Sequence, residues 1–110
     1  MSASERRKGK AGELEVVHIL HEHGWTDAKR SSDGRSQVER GDIADGPEFV
    51  HIEVRRRETA SIWAWLAQAE REARPGDMPV VAFRRSRSAW MAALPLDLLL
   101  GLLRDAGNGR

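Results

Sequence analysis

Apolar and polar residues alternate most regularly in the middle of the chain. Residues 49–55, Phe-Val-His-Ile-Glu-Val-Arg, are rich in β-branched and aromatic side chains and follow a turn at residues 45–48 that contains Gly and Pro. Neighbouring residues of a strand point to opposite faces. The pattern therefore predicts a strand with two unlike faces, Val50, Ile52 and Val54 on one and His51, Glu53 and Arg55 on the other. We expect the first face to pack on the core.

A second carboxylate precedes this strand. Asp42 stands at the start of a short apolar run, and the turn at residues 45–48 returns the chain to the strand. If these segments form a hairpin, Asp42 comes close to Glu53. Two carboxylates and a cation, Arg55, would then meet at one end of a small sheet. Such a set is typical of a metal-dependent phosphodiesterase site.

Three stretches have helical periodicity. The first covers residues 11–23 and has Gly24 as its stop signal. The second covers residues 62–73 and ends before Pro75, and the third begins at Pro95. These helices account for most of the remaining apolar residues.

Further strands are predicted at residues 25–30, 78–83 and 89–94. Together with the central hairpin, they give the element order αβββαββα. This order indicates a mixed α/β fold in which helices flank a mixed five-stranded sheet.

Composition supports one small globular domain. The chain has 110 residues, of which 40% are hydrophobic and 32% charged. We expect a flexible basic N-terminal arm at residues 1–10 and a single domain at residues 11–106. No apolar run approaches the ~20 residues of a membrane span. The absence of cysteine excludes disulfides and Cys-ligated zinc and fits a cytoplasmic location.

The net charge is only +1, but the cations are clustered. The clusters are Arg6, Arg7, Lys8 and Lys10; Arg55, Arg56 and Arg57; and Arg84, Arg85 and Arg87. Basic patches beside an acidic pocket suit a protein that binds phosphates and also holds a cation. Solvated surface charge explains the same clusters equally well.

Glu13 is the candidate residue of the first helix. Its spacing places it on the inward face with Val16, Val17 and Leu20. A carboxylate at the edge of a core requires a partner, which a metal or a cation would supply. On the helix alone, a favourable position near the positive end of the helix dipole is the simpler explanation.

Histidines give a weaker signal. His18 and His21 lie one turn apart but have no evident third ligand, so they are predicted to be surface residues. His51 shares the face of Glu53 and is predicted to be partly buried and hydrogen bonded.

Four short segments occur in a recognisable order. They are Lys-Gly-Lys-Ala-Gly-Glu at residues 8–13, Lys-Arg-Ser at 29–31, Gly-Asp-Ile at 41–43 and Ile-Glu-Val-Arg at 52–55. Over roughly residues 6–94, the order and spacing resemble the archaeal-type Holliday junction resolvases and their phage relatives. These belong to the PD-(D/E)xK, or restriction-endonuclease-like, nuclease superfamily.

The resemblance implies a metal site and a restriction-endonuclease-like core. Asp42, Glu53 and the backbone carbonyl of Val54 would ligate Mg²⁺ or Mn²⁺, and Glu13 would help to hold the metal or its water. Gln68 resembles the glutamine that many members carry on the helix after the core strand. The implied catalytic residues are Glu13, Asp42, Glu53, Arg55 and Gln68. No small-molecule cofactor is expected.

The resemblance also implies a DNA partner. Branched or four-way-junction DNA would be bound by a homodimer, since the symmetry of two subunits matches that of a junction. The helix that carries Trp63 and Trp65 and the apolar C-terminal helix could supply the dimer interface. The implied DNA-binding residues are Arg7, Lys8, Lys10, Arg30, Ser31, Ser32 and Arg35, with the loop at residues 31–37 lying over the scissile strand.

One departure from the family pattern affects function. The lysine that the family has two residues after the strand glutamate is Arg55 here, and arginine does not exchange a proton near neutral pH. A smaller departure is Gly41, where proline is usual. The favoured hypothesis is a metal-dependent, structure-selective endonuclease that resolves four-way junctions by paired nicking. The alternatives are a non-catalytic junction-binding module on the same fold, or an interaction protein without a nucleic-acid role.

Overall fold

A computed structural model describes residues 3–33 and 39–107, without the side chains of residues 33 and 39. In this part of the chain there are three helices and six strands, with a 3-10 turn at Ser31–Asp33. The elements in chain order are α1 (Ala3–Glu22), β1 (Lys29–Arg30), β2 (Glu39–Arg40), β3 (Ile43–Ala44), β4 (Val50–Arg56), α2 (Ile62–Glu72), β5 (Met78–Arg84), β6 (Met91–Ala93) and α3 (Leu96–Asp105).

The mixed α/β class is confirmed, but the predicted five-stranded sheet is wrong. The strands form two three-stranded sheets, ordered β4-β5-β6 and β1-β3-β2. In the first, β5 is parallel to β4 and antiparallel to β6; in the second, every pairing is antiparallel. The chain between β1 and β4 has one strand more than the predicted order αβββαββα, because Gly41, with φ of 75°, separates β2 from β3.

The predicted hairpin between the Asp42 segment and β4 does not form. β3 pairs with β1 and β2 instead, and a single parallel bridge joins Gly41 to Ile52. The turn before β4 contains two residues with left-handed backbone, Asp45 and Phe49. Asp42 therefore reaches β4 from a parallel bridge and not across a hairpin.

Strand β4 is buried on both faces. Its apolar face packs against α1 in a cluster that includes Val16, Val17, Ile52 and Val54. Its polar face is covered by α2, which forms the crossover from β4 to the parallel strand β5. The predicted alternation is confirmed, yet the face with His51 is not a surface, because that side chain is almost fully buried.

Helix α1 is longer than predicted. It begins at Ala3, so residues 3–10, predicted as part of a flexible arm, are its first turns. Arg, Lys, Glu and Ala in this stretch are good helix formers, and they extend the helix without an apolar face of their own. The predicted stop is confirmed, since Gly24 follows the helix with φ of 104°.

Glu15 holds α1 to strand β5 and to the segment that precedes β6. One of its carboxylate oxygens lies 3.2 Å from Arg84 Nε and accepts a 3.1 Å hydrogen bond from Trp90 Nε1. Beside it, Gly12 permits close packing, because a Cβ there would lie 3.2 Å from the Cβ of Arg56. These contacts fix the helix that carries Glu13 against the strand that carries Glu53.

The remaining elements match their predictions with ends that are shifted by a few residues. The strand predicted at residues 25–30 is reduced to Lys29–Arg30. The preceding residues belong to the turn that ends α1, in which Trp25 N–H donates a 2.9 Å hydrogen bond to Leu20 O. Helix α3 follows Pro95 as predicted. It has no buried residue, and Leu96, Leu100 and Leu102 are at least half exposed. Within the described ranges, no helix is long and apolar enough to cross a membrane.

Candidate active site

Asp42 is fixed to β4 by two hydrogen bonds. Its backbone N–H donates to Ile52 O at 2.8 Å, and its Oδ2 accepts from Val54 N–H at 2.8 Å. This approach requires glycine at position 41, since a Cβ there would overlap Ile52 O and lie 3.1 Å from Glu53 Oε2. Proline, with φ near −65°, could not adopt this backbone. The departure at Gly41 is therefore part of how the chain positions Asp42.

Ser31 holds the same segment from the other side. Its Oγ donates to Gly41 O at 2.8 Å, and its N–H donates to Asp42 O at 3.0 Å. Ser31 was predicted to contact DNA, and in the structure its hydroxyl is engaged in positioning the Asp42 loop. Two strands and a turn thus fix the position of one carboxylate.

Arg55 lies at the centre of the site. Its Nη1 donates to Val54 O at 2.9 Å and to Asp42 Oδ2 at 3.4 Å. Its Nη2 donates to Gln68 Oε1 at 2.8 Å and to Glu53 Oε1 at 3.4 Å. One guanidinium therefore contacts the three groups that the family resemblance implies as direct metal ligands, and Gln68 orients it from α2.

Glu53 is the most perturbed acid of the site. The pKa of Glu53 is raised to about 7, chiefly by burial and also by the nearby Asp42 carboxylate, while Arg55 opposes the shift. The carboxylate is only 3% exposed, so its negative charge is incompletely balanced. Carboxylate and carbonyl oxygens that meet with such an imbalance fit a hard divalent cation of the Mg²⁺ or Mn²⁺ type.

His51 is a buried neighbour of Glu53. Its Nε2 is 3.3 Å from Glu53 Oε2, and burial lowers the pKa of the imidazole, which favours its neutral form. His51 Nε2 has no hydrogen-bond partner among the described residues. His51 is thus more deeply buried than predicted, and no described residue supplies the predicted hydrogen bond at Nε2.

Glu13 faces the site from α1. It lies well inside a helix that begins at Ala3, so the helix dipole, which acts over the first turn, does not explain its position. Its Oε1 accepts a 2.8 Å hydrogen bond from Arg30 Nε, and both side chains are less than one-fifth exposed. The inward position that the spacing predicts is confirmed, and the partner that the carboxylate requires is a cation on β1.

Glu13, Asp42, Arg55 and Gln68 line one open cleft of about 610 Å³, and the buried Glu53 lies behind its lining. Its acids are Glu5, Glu13 and Asp42, and its cations are Arg6, Lys10, Arg30, Arg55, Arg56 and Arg57. A cleft with an excess of positive charge around a carboxylate attracts the phosphates of a nucleic acid. The sequence indicated Arg6, Arg56 and Arg57 only as charged runs and not as site residues.

The other predicted DNA-binding residues lie around this cleft or outside the described ranges. Arg7 and Lys8 are exposed on α1, and Ser32 is exposed after β1. Lys8 lines a neighbouring depression with Arg57. Arg35, in the loop predicted to cover the scissile strand, lies outside the described residues.

Comparison with known families agrees with this geometry. The family model described as "Phage putative PDDEXK endonuclease" matches residues 4–107. The match includes every element that forms the cleft, and the chain belongs to this family. The membership supports the PD-(D/E)xK superfamily and not the narrower likeness to junction resolvases. Neither the curated proteins nor the solved structures gave a significant match.

Proposed function

We propose that this protein is a divalent-metal-dependent DNA endonuclease acting at the cleft between α1 and β4. The observation that carries the proposal is the convergence of Asp42, Glu53 and the Val54 carbonyl on Arg55, which lines a basic cleft. Membership in an endonuclease family supports the same reaction. Metal dependence rests on the chemistry of the donor set.

Each residue of the site has a different role in the proposed hydrolysis of a phosphodiester. A cation held by Asp42, Glu53 and the Val54 carbonyl would supply a water of lowered pKa and would balance charge on the scissile phosphate. Arg55 is placed to neutralise the same phosphate, but it remains protonated and does not transfer protons. Gln68 orients the Arg55 guanidinium, and Glu13 holds Arg30 at the wall of the cleft.

We further propose that the substrate is branched DNA, with a four-way junction as the preferred form, and that the active species is a homodimer. An open cleft accepts a duplex arm, and two clefts related by a two-fold axis would address two strands of a junction. The exposed leucines of α3 and the 86% exposed Trp63 on α2 are candidates for the subunit contact.

One observation favours a second function. Because the Arg55 guanidinium already contacts all three ligand groups, it can act as a fixed cation in place of a metal. In that case the protein is a non-catalytic module that binds branched DNA on the same fold. The two functions differ in a single measurable property, cleavage.

A cleavage assay with a matched variant tests the proposal. Purified protein and its Asp42→Asn variant are incubated with a labelled four-way junction or a linear duplex of the same sequence, in Mg²⁺, Mn²⁺ or a chelator. We expect metal-dependent paired nicks in the junction, and their loss in Asp42→Asn. The asparagine keeps the size of the side chain, so binding should persist.

Each other outcome has a defined meaning. Cleavage of junction and duplex alike would retain the endonuclease and remove the junction preference. Tight binding without cleavage in either metal would establish the non-catalytic module. If the protein neither binds nor cleaves the DNA, both functions are excluded.

A further inference from the structure

A second group of potential ligands shares Glu53 with the site around Asp42. His51, Glu53 and Glu72 each offer a ligand atom, and these atoms lie within 4.8 Å of one another. His51 and Glu53 come from β4, and Glu72 is the last residue of α2. No step of the proposed hydrolysis uses His51 or Glu72.

The state of His51 points to a ligand. Its side chain is 5% exposed, and its Nε2 lies 3.3 Å from Glu53 Oε2 without forming a hydrogen bond. A buried polar atom without a partner costs free energy, so such atoms are rare unless they serve a function. The ring is aimed into the cluster, which is the orientation that metal coordination requires.

Glu72 is the solvent-exposed member of the cluster. The residue is exposed, so an ion could enter from solvent along its carboxylate. Its Oε1 accepts a 3.2 Å hydrogen bond from Gln68 Nε2, which restrains the carboxylate at the end of α2. A second contact that orients a ligand is a common feature of metal sites in proteins.

We propose that His51, Glu53 and Glu72 form a second cation site, which binds transition metals of the Zn²⁺ and Mn²⁺ class. One imidazole nitrogen with two carboxylate oxygens suits Zn²⁺, Co²⁺ or Mn²⁺, whereas Mg²⁺ prefers oxygen ligands alone. Three protein ligands also leave coordination positions open to water. The site is therefore distinct in chemistry from the all-oxygen set around Asp42.

Glu53 belongs to both sites. Its Oε1 lies 3.4 Å from Arg55 Nη2, and its Oε2 lies 3.3 Å from His51 Nε2. A carboxylate that presents one oxygen to each side can bridge two ions, as in two-metal hydrolases. The second site also stands without the nuclease proposal, because its three ligands and its buried nitrogen do not depend on the reaction.

Calorimetric titration with Zn²⁺ tests the inference in the Asp42→Asn background, in which the first site is disabled. We expect one Zn²⁺ to bind there, with affinity lowered at least about ten-fold by His51→Gln and by Glu72→Gln, since each removes a ligand. His18→Gln is the matched control, because His18 and His21 form an exposed pair on α1 with ring centroids 6.5 Å apart. Circular dichroism checks that each variant is folded.

The outcomes separate this site from the nuclease. Zn²⁺ binding that survives both His51→Gln and Glu72→Gln, or that is lost in His18→Gln, overturns the inference. Absence of Zn²⁺ binding in Asp42→Asn does the same. Glu72 is exposed, so its variant decides the result even if His51→Gln fails to fold. Calorimetry does not measure cleavage, so failure here leaves the endonuclease proposal standing.

Discussion

Arg55 contacts the same oxygen atoms of Asp42, Glu53 and Val54 that would bind a divalent metal, so the guanidinium and a metal would compete for them. The guanidinium has its shortest contacts with Val54 O and Gln68, at 2.9 and 2.8 Å, and longer ones with the two carboxylates. A planar fork can span these groups at once, whereas the compact ammonium of lysine cannot. Position 55 therefore carries a side chain that stays protonated, in place of a lysine whose pKa burial could lower.

We predict that Arg55→Lys strengthens divalent-metal binding and increases metal-dependent cleavage. The smaller cation leaves the oxygens of Asp42 and Glu53 accessible, and the expected gain in Mn²⁺ affinity is on the order of ten-fold, or about 1.4 kcal/mol. Calorimetry with Mn²⁺ and the Mg²⁺ dependence of nicking measure it. Arg57→Lys is the control, since Arg57 lines the same cleft and makes none of these contacts to the ligand oxygens. Unchanged affinity in Arg55→Lys would show that the guanidinium does not compete.

Gly41 is a second residue at which substitution has a clear expected result. Gly41→Ala places a Cβ against Ile52 O in a backbone with φ of 75°, so we predict a loss of more than about 2 kcal/mol in the free energy of unfolding. Gly101→Ala, in α3 with open space at the Cβ position, should instead stabilise by about 0.5–1 kcal/mol. Urea unfolding of both variants measures the difference. Equal effects would contradict the close approach.

At the scale of elements, one exposed contact joins the segment after β4 to the β5–β6 turn. Glu58 Oε2 accepts a 2.8 Å hydrogen bond from Ser86 Oγ and a 3.1 Å bond from Ser86 N–H. These bonds, with the side-chain bond as the larger cause, lower the pKa of Glu58. A carboxyl with a lowered folded-state pKa stabilises the fold above its unfolded-state pKa, and this contribution is lost as the pH falls through the folded-state pKa.

Ser86→Ala is therefore predicted to raise the pKa of Glu58 towards its ordinary value of 4.5. The contribution of Glu58 to the free energy of unfolding should then be smaller, and it should be lost at a higher pH than in the parent protein. Carboxyl-resolved NMR titration between about pH 3 and 6 measures both proteins. Ser88→Ala is the control, because Ser88 lies in the same turn and bonds Arg85 instead of Glu58. A pKa that moves equally in both variants would contradict the assignment.

Elements with a clear local pattern of apolar residues, or with a Gly or Pro at one end, were predicted well from the sequence. The alternation in residues 50–54 predicted β4, and the Gly24 and Pro95 signals predicted the end of α1 and the start of α3. The meeting of Asp42, Glu53 and Arg55 was also expected, but through a hairpin that does not form, and Asp42 reaches β4 by another route. That route depends on the positive φ of Gly41, which no local periodicity reveals.

The remaining elements depend on partners distant in sequence. Two-residue strands such as β2 and β3 have too few residues to show a pattern, so their separate pairing was missed. Residues 3–10 are polar on all sides and gave no helical periodicity. Glu72 was not predicted as a site residue, because its proximity to His51 arises only when α2 folds back over β4.

At the scale of the whole molecule, the net charge of +1 conceals a basic cleft. We predict that Lys10→Ala weakens binding to DNA of any sequence and lowers the slope of log affinity against log salt by about 1, as expected for one lost phosphate contact. Arg104→Ala, on α3 and outside the cleft lining, is the control and should leave the slope unchanged. Fluorescence anisotropy at several salt concentrations measures it. Equal slopes for Lys10→Ala and the parent protein would place the DNA elsewhere.

Helix α3 provides the prediction for assembly. Leu96, Leu100 and Leu103 follow one another at helical spacing and are 65%, 50% and 40% exposed. If this stripe forms the proposed dimer contact, Leu100→Glu should convert the protein to a monomer, because burial of a charge at an apolar interface is costly. Light scattering after size-exclusion chromatography measures the mass. Asp97→Asn, on the same helix, is the control, and a dimer that persists in Leu100→Glu would exclude the stripe.

The contacts of Arg55 also bear on how the polypeptide reaches its native state. In many small metalloproteins the ion completes the core, and chelation unfolds the chain. Here a covalently attached cation already offsets part of the charge of Asp42 and Glu53. Newly made chains would consequently fold without waiting for an ion, and under the proposed metal dependence the metal supply would set when the protein acts while leaving its abundance unchanged.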